Sequence, residues 1–361
     1  MIVTFVCPSS KRPFGGISAL YELANGLQRR GHEVHLFHVP FFDRQIDTLD
    51  DLSWFEFEPG LHHHVLDGDR PDLPHADVIF GTGARPELGL PVAFVQGIRM
   101  FEPNYEAATL RTPCLKVCVA RWLIDEVALL GVPREQLTSV PIGIDHRRFR
   151  TTTPIDARPR QVAILYNDHP AKGWPVGLGA IARARRGVPD VEVVAFGTMA
   201  PPDDLPEWVT YRRDPAPDEL VGIYNRTQVF VQASDYEGFG FTAVEAMACG
   251  AALVTTDNGG SLEYAVPGET ALVAAPVDTV GLARHIEALL RDDRLRIDLA
   301  TRGAAYVRQF DWDRTAEHLE VILERYVADP AAFQRPPDDV DLDAVLAAPV
   351  STYRRVAERQ P

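Results

Sequence analysis

Short apolar runs alternate with amphipathic segments along most of the chain. Residues 2–6 predict a strand, residues 17–30 carry apolar side chains at helical spacing, and residues 34–39 predict the next strand. The alternation returns in the second half. Further predicted strands are 76–80, 91–95, 114–120, 161–166, 191–196, 228–233, 251–256 and 271–274. Strands that alternate with helices are typical of a parallel, doubly wound α/β sheet.

A polar, proline-bearing segment at residues 150–159 separates the two halves and predicts a linker. A chain of 361 residues also favours two domains. We therefore predict an N-terminal domain over residues 1–152 and a C-terminal domain over 158–310. Residues 311–361 are expected to form a C-terminal helix and tail that pack back on the N-terminal domain.

The stretch from residue 235 to residue 250 combines several features of a ligand site. It follows a buried strand, and Gly238 and Gly240 allow a close backbone approach before a short helix begins. In open α/β sheets, ligands bind at the carboxyl edge of the strands. The free N–H groups and positive dipole end of a helix N-terminus suit phosphate. The stretch therefore predicts a phosphate-bearing ligand.

Two carboxylates flank this loop, and the sequence leaves two interpretations open for each. Thr242-Ala-Val-Glu245 matches a capping box, in which Glu245 binds the N-cap backbone. Alternatively, Glu245 accepts hydrogen bonds from ribose hydroxyls, as acidic residues do in Rossmann folds. Glu237 is either a solvated carboxylate in a turn or a ligand of sugar hydroxyls.

Residues 237–250, followed by residues 257–263, resemble the Glu-x7-Glu signature of retaining glycosyltransferase family 4. The resemblance implies the GT-B fold, in which two Rossmann-like, doubly wound domains face a cleft. It also implies that Glu245 holds the ribose hydroxyls of a nucleotide-sugar donor and that Glu237 orients the donor sugar as a catalytic residue. The backbone expected to face the donor sugar and diphosphate belongs to Gly240, Phe241 and Thr242.

Lys172 is one of only three lysines among 36 basic residues, so its position invites a functional reading. It follows the first predicted strand of the second half, where the family has a Lys-Gly pair with the ammonium on the donor diphosphate. The resemblance thus makes Lys172 a second catalytic and donor-binding residue. The Arg that the family usually has several residues earlier is absent from residues 166–170. The alternative for Lys172 is an exposed loop cation.

Three further candidates lie in the first half. Gly15 and Gly16 follow the first strand and resemble a Gly-Gly loop that many GT-B enzymes place against the donor phosphates or the acceptor; the alternative is a tight turn. Gln96 occupies a strand end where many relatives have His, and a subset that includes rhamnosyltransferase-like enzymes is similar in having Gln. With Arg99, it is a candidate contact of the sugar or acceptor.

Composition narrows the range of partners. The net charge of −15 argues against nucleic acid or an anionic membrane as the main partner, because both favour a basic face. No apolar run is long enough for a spanning helix, and no signal peptide is evident. The four cysteines form no Cys-x2-Cys pair, which indicates buried thiols in a reducing cytoplasm. His62-His63-His64 has no second ligand group nearby in sequence, so we expect a strand or loop without metal.

Together, these observations predict a cytoplasmic hexosyltransferase of carbohydrate biosynthesis. It would move a sugar from a nucleotide diphosphate sugar to an acceptor hydroxyl with retention of anomeric configuration. The resemblance implies no metal and no other cofactor. The acceptor is expected to be a small molecule or an oligosaccharide. Alternatives are a non-catalytic nucleotide-sugar-binding partner protein and a nucleotide-sugar epimerase or sugar phosphorylase on the same fold.

Overall fold

The computed structural model describes residues 1–40, 46–66, 74–81, 87–99 and 102–350. The chain divides into two compact units. Unit 1 contains Met1–Gly143 and Asp311–Ala348, and unit 2 contains Ile144–Phe310 together with Pro349 and Val350. Residues 351–361, the end of the predicted tail, lie outside the described residues.

Unit 1 is built on a parallel sheet of seven strands, in agreement with the predicted α/β class. The strand order is β3-β2-β1-β4-β5-β6-β7. Its strands and helices are β1 (Ile2–Pro8), α1 (Gly15–Arg29), β2 (Glu33–Val39), β3 (His62–Val65), β4 (Val78–Phe80), β5 (Leu90–Val95), α2 (Pro103–Leu110), β6 (Leu115–Cys118), α3 (Arg121–Leu129) and β7 (Leu137–Ser139). The sheet is buried on both faces, since the consecutive residues Val3, Thr4 and Phe5 of β1 are all fully enclosed.

Unit 2 repeats this architecture with six parallel strands in the order β10-β9-β8-β11-β12-β13. Its elements are β8 (Gln161–Leu165), α4 (Trp174–Arg185), β9 (Glu192–Gly197), β10 (Val209–Arg213), α5 (Pro217–Arg226), β11 (Val229–Gln232), α6 (Phe241–Ala248), β12 (Ala252–Thr256), β13 (Ala271–Ala274), α7 (Thr279–Arg291) and α8 (Asp293–Tyr306). Each sheet is therefore a parallel Rossmann-like sheet, as the alternation predicts.

The segment predicted as a linker belongs to unit 2, and unit 1 ends its first stretch at Gly143 rather than near residue 152. Arg158 explains why this polar segment is held in the fold. Its side chain is only 4% exposed, and its guanidinium donates hydrogen bonds to the carbonyls of Thr227 at 3.0 Å and Thr153 at 3.1 Å. A polar sequence can be buried where its donors find backbone acceptors.

After unit 2, the chain returns to unit 1 with α9 (Trp312–Ala328) and α10 (Leu342–Ala347). α9 packs against α1 so closely that a Cβ added to Gly26 would lie 2.5 Å from the Cβ of Ala316. The Tyr326 hydroxyl donates to the Pro91 carbonyl at 3.0 Å. α9 is thus part of the unit 1 core.

Candidate functional site

The candidate site residues of unit 2 lie at the point in the sheet where the chain stops adding strands on one side of β8 and begins to add them on the other side. From β8 the chain adds β9 and β10 on one side, and it then places β11 on the other side. The loop after β8 carries Lys172, and the loop after β11 carries Glu237. A switch point of this kind leaves a crevice at the carboxyl ends of the two strands, where open α/β sheets bind ligands.

Gly173 fixes the position of the Lys172 loop. It adopts φ +63°, and a Cβ at this position would lie 1.9 Å from the carbonyl oxygen of Ala233 at the end of β11. The backbone N–H of Asp235 donates to the Ala171 carbonyl at 2.8 Å. Only glycine allows this approach, so the Lys-Gly pair brings the loops after β8 and β11 together.

Lys172 and Glu237 meet in this crevice. The Lys172 ammonium donates to both oxygens of the Glu237 carboxylate, at 2.9 and 2.8 Å. Ser234 donates a third hydrogen bond to the same carboxylate at 2.8 Å. Glu237 is only 8% exposed, whereas the Lys172 side chain is 33% exposed. The carboxylate is therefore held in place from two sides, while the ammonium stays accessible to a ligand.

The start of α6 borders the same crevice. Gly240 is its N-cap, with φ +98°, and Phe241 and Thr242 are its first two residues. Tyr264 donates to the carbonyls of Phe239 and Gly240 and so fixes this turn. Thr242 lines one pocket with Lys172 and Glu237. The positive end of the helix dipole thus lies beside the ammonium, an arrangement that suits an anion.

Glu245 is not part of a capping box, so that interpretation is wrong. The helix begins after Gly240, which leaves Glu245 in its second turn, and no side chain caps the N-terminus. The carboxylate instead accepts a hydrogen bond of 3.0 Å from the hydroxyl of the buried Tyr224. Desolvation raises the pKa of Glu245 to about 7, although the Tyr224 hydrogen bond acts in the opposite direction. Its predicted contact with a ribose stays a prediction.

The structure also brings together three of the four candidates of unit 1. Gly15 and Gly16 are the first two residues of α1, and Gln96 directly follows β5. A Cβ on Gly16 would lie 2.9 Å from Oε1 of Gln96, so these groups are neighbours. Arg99, with φ +59°, is held elsewhere in the unit: its backbone N–H donates to Glu106 and its guanidinium to the Ala348 carbonyl.

Ser234, Tyr224 and Tyr264 were not among the predicted site residues. Ser234 had a usable signal, because it lies two residues after the end of β11, at the start of the loop. Tyr224 had none, since 20 residues separate it from Glu245 and only the packing of α5 beside α6 reveals the contact. Sequence spacing finds residues on one loop, but not partners from neighbouring elements.

The expectation that His62-His63-His64 has no second ligand group is also wrong. Parallel pairing of β2 with β3 places Glu33 and His35 beside His62.

Within the residues that the structure describes, no helix is long and apolar enough to cross a membrane.

Comparison with known proteins agrees with this architecture. Residues 208–306 match the family model of glycosyl transferases group 1. A phosphatidyl-myo-inositol mannosyltransferase of Mycolicibacterium smegmatis is 25% identical over 373 residues, which cover 90% of this chain and 94% of the relative. Other curated relatives match over shorter stretches, and the chain spans 27%, 39% and 50% of the length of three of them.

Solved structures show the same fold at low sequence identity. Anabaena HepE in complex with UDP-glucose has a TM-score of 0.72 and 17% identity, with 90% of this chain and 100% of that chain covered. WaaG, a glycosyltransferase involved in lipopolysaccharide biosynthesis, has a TM-score of 0.66 and 14% identity, with 90% and 99% covered. With its two Rossmann-like units, the chain has the fold of these structures, which are GT-B glycosyltransferases. Within this fold, residues 208–306 are the part of the chain that resembles the group 1 glycosyl transferases.

Proposed function

We propose that the chain transfers a hexose from a nucleotide diphosphate sugar to an acceptor hydroxyl with retention of anomeric configuration. The observation that carries this proposal is the Lys172–Glu237 pair at the unit 2 switch point, beside the N-terminus of α6. A diphosphate needs positive charge, and sugar hydroxyls need acceptors. The crevice offers both within one pocket.

The proposed chemistry assigns a separate task to each group. The Lys172 ammonium and the α6 N-terminus stabilise the negative charge that grows on the leaving diphosphate. Glu237, held by Ser234, accepts hydrogen bonds from the donor sugar and fixes its orientation. Glu245 lies in the second turn of α6, and its carboxylate accepts hydrogen bonds from the ribose hydroxyls. The backbone of Gly240, Phe241 and Thr242 faces the diphosphate and sugar.

Retention follows from a same-face step, which we propose because no pair of carboxylates is assigned to bracket the reacting carbon. The leaving diphosphate takes the acceptor proton on the face from which it departs. The bond from the anomeric carbon to the diphosphate oxygen breaks, and a bond to the acceptor oxygen forms. In unit 1, the proposed contacts of the donor phosphate, the sugar or the acceptor are Gly15, Gly16 and Gln96. Arg99 can contact the sugar or acceptor only after its guanidinium gives up its hydrogen bond to the Ala348 carbonyl.

The first donors to test follow from the similar proteins. One of them is named a mannosyltransferase, and another was solved with UDP-glucose. The first donors to test are therefore nucleoside diphosphate derivatives of mannose and glucose. For the acceptor we propose a small molecule or an oligosaccharide, and phosphatidylinositol is the alternative that the first relative suggests. All four cysteines are buried and free, which supports our proposal of a cytoplasmic enzyme.

The test is a calorimetric titration of a panel of nucleotide sugars, followed by slow donor hydrolysis in the absence of acceptor. Wild type is compared with Glu245→Ala, Lys172→Met and Thr279→Ala, the last being a control away from the crevice. We expect one donor to bind wild type and the control equally, and to bind both site variants at least about tenfold more weakly, which corresponds to about 1.4 kcal/mol.

Each other outcome points to a different function. A donor that binds but is never consumed, with either acceptor class present, indicates a non-catalytic binding protein. Consumption that gives an isomeric nucleotide sugar indicates an epimerase, and dependence on free phosphate indicates a phosphorylase. An inverted anomeric centre in the product, measured by proton NMR coupling constants, would refute retention while leaving transfer intact.

A further inference from the structure

Histidines are concentrated on two neighbouring strands of unit 1. Five of the chain's 11 histidines lie on β2 and β3: His35, His38, His62, His63 and His64. β3 is the edge strand of the sheet, and its partner β2 pairs with it in parallel, with His35 opposite His62. Strand pairing thus gathers imidazoles that are 27 residues apart in sequence.

The pleat of the sheet divides these side chains between two faces. Successive side chains of a strand point to opposite faces, so Glu33 and His35 share a face with His62 and His64, whereas His38 and His63 share the other. Ring stacking agrees with this division, because His35 stacks on His62 and His38 stacks on His63.

The first face carries three side chains whose ligand atoms are close enough to hold a metal ion. One ligand atom each from Glu33, His35 and His62 lies within 4.8 Å of the other two. Nε2 of His35 is 3.1 Å from a Glu33 carboxylate oxygen. Ligand atoms of tetrahedral zinc, at about 2.0–2.2 Å from the ion, are about 3.4 Å apart. The three groups are close enough to share one ion once the stacked His35 and His62 rings rotate to direct their nitrogens towards it.

His64 occupies the position of an outer partner. Its Nε2 is 3.2 Å from Nδ1 of His35, on the side of the His35 ring opposite Glu33. Histidine ligands usually use their second ring nitrogen in such a hydrogen bond, which fixes the ring orientation. His35 is 8% exposed, while Glu33 and His62 are exposed. The site thus combines a positioned inner ligand with two ligands open to solvent.

We propose that Glu33, His35 and His62 bind one divalent ion of the zinc class at the edge of the unit 1 sheet. Two imidazoles and a carboxylate are ligands that zinc accepts, with water in the fourth position. The ion joins the edge strand β3 to β2. This role is independent of the proposed sugar transfer, for which no metal is invoked.

The test uses the full chain, prepared without a polyhistidine tag and titrated with Zn²⁺ by calorimetry. We expect one saturable site per chain. His62→Ala and Glu33→Gln replace exposed side chains, so the fold should persist, and each should weaken binding at least tenfold. His64→Ala should weaken it by about 10–100-fold, as the loss of an outer partner does.

His63→Ala is the matched control, because it removes an imidazole of the same strand from the opposite face. It should bind Zn²⁺ as wild type does. Zn²⁺ should also raise the unfolding temperature of wild type and His63→Ala but not of His62→Ala, since an ion bound only to the folded state stabilises it. Absence of saturable binding, wild-type affinity in His62→Ala, or an equal loss in His63→Ala would each overturn the proposal.

Discussion

Gly173→Ala is the sharpest test of how the candidate site is held. The substitution adds one methyl group beside Lys172, at a backbone position with φ +63°. The new Cβ would lie 1.9 Å from the Ala233 carbonyl oxygen, whereas side-chain carbons rarely approach other atoms closer than 3.0 Å. The loop after β8 or the end of β11 must therefore move by more than about 1 Å.

Two costs follow from this geometry. A non-glycine residue in the left-handed region costs roughly 1–2 kcal/mol. Relief of the close contact adds roughly 1–3 kcal/mol, as overpacking does elsewhere. At roughly 2–4 °C per kcal/mol for a unit of this size, the unfolding temperature should fall by on the order of 10 °C. A 1 Å misplacement of catalytic groups costs up to about 100-fold in turnover.

Gly268→Ala separates these two costs. Gly268 lies in the same unit with φ +76°, and nothing lies within 4 Å of its added Cβ. This control should show only the backbone cost, a loss of a few degrees, with donor turnover unchanged. The assays are differential scanning calorimetry and initial rates with the donor that binds wild type. If Gly173→Ala matches Gly268→Ala in both assays, Gly173 does not position Lys172 and our account of the site fails.

Three other substitutions test separate contacts. Glu237→Gln removes the negative charge that holds the Lys172 ammonium. Calorimetric titration should then show a nucleoside diphosphate binding several-fold tighter, while donor turnover falls about 100-fold. Weaker diphosphate binding would contradict this reasoning. Burial raises the folded-state pKa of Glu245 to about 7, above its usual value, so the native state binds an extra proton below that pH and stability falls as pH rises toward 7. Glu245→Gln should therefore gain unfolding temperature relative to wild type between pH 5 and pH 7.5, and a constant difference would refute the assignment. Gly26→Ala should lower the unfolding temperature despite a helix-propensity gain of about 1 kcal/mol, because its Cβ meets Ala316 at 2.5 Å; adding Ala316→Gly should restore it.

The alternation of apolar runs was sufficient to predict two parallel α/β sheets. Buried parallel strands are short and apolar throughout, so β1, β8 and β11 stand out from the amphipathic helices beside them. The strand β10 was missed because Thr210, Arg212 and Arg213 make it polar and exposed. An edge strand of this kind has little apolar signal to detect.

The site shows where local sequence patterns stop being informative. Spacing along one strand–loop–helix unit predicted that Glu237 and Thr242 lie together, and both line one pocket; their contact with a donor stays a prediction. The capping-box match failed because the N-cap is Gly240, in a left-handed conformation, and not Thr242. Thr242 is already the second residue of the helix. The His35–His62 pair depends on strand register, which no spacing rule specifies.

Unit 1 is assembled from two stretches of chain, and this has a consequence for synthesis. α1 emerges from the ribosome before residues 144–310, but its partner α9 follows only after all of them. The main stretch of unit 2, Ile144–Phe310, is continuous in sequence and emerges as a whole before α9. Until α9 has been synthesised, the apolar face of α1 around Gly26 has no Ala316 to pack against, and the nascent chain exposes this face. A chain truncated after Phe310 would lack α9 and keep this face uncovered permanently, so completion of unit 1 depends on residues 311–348.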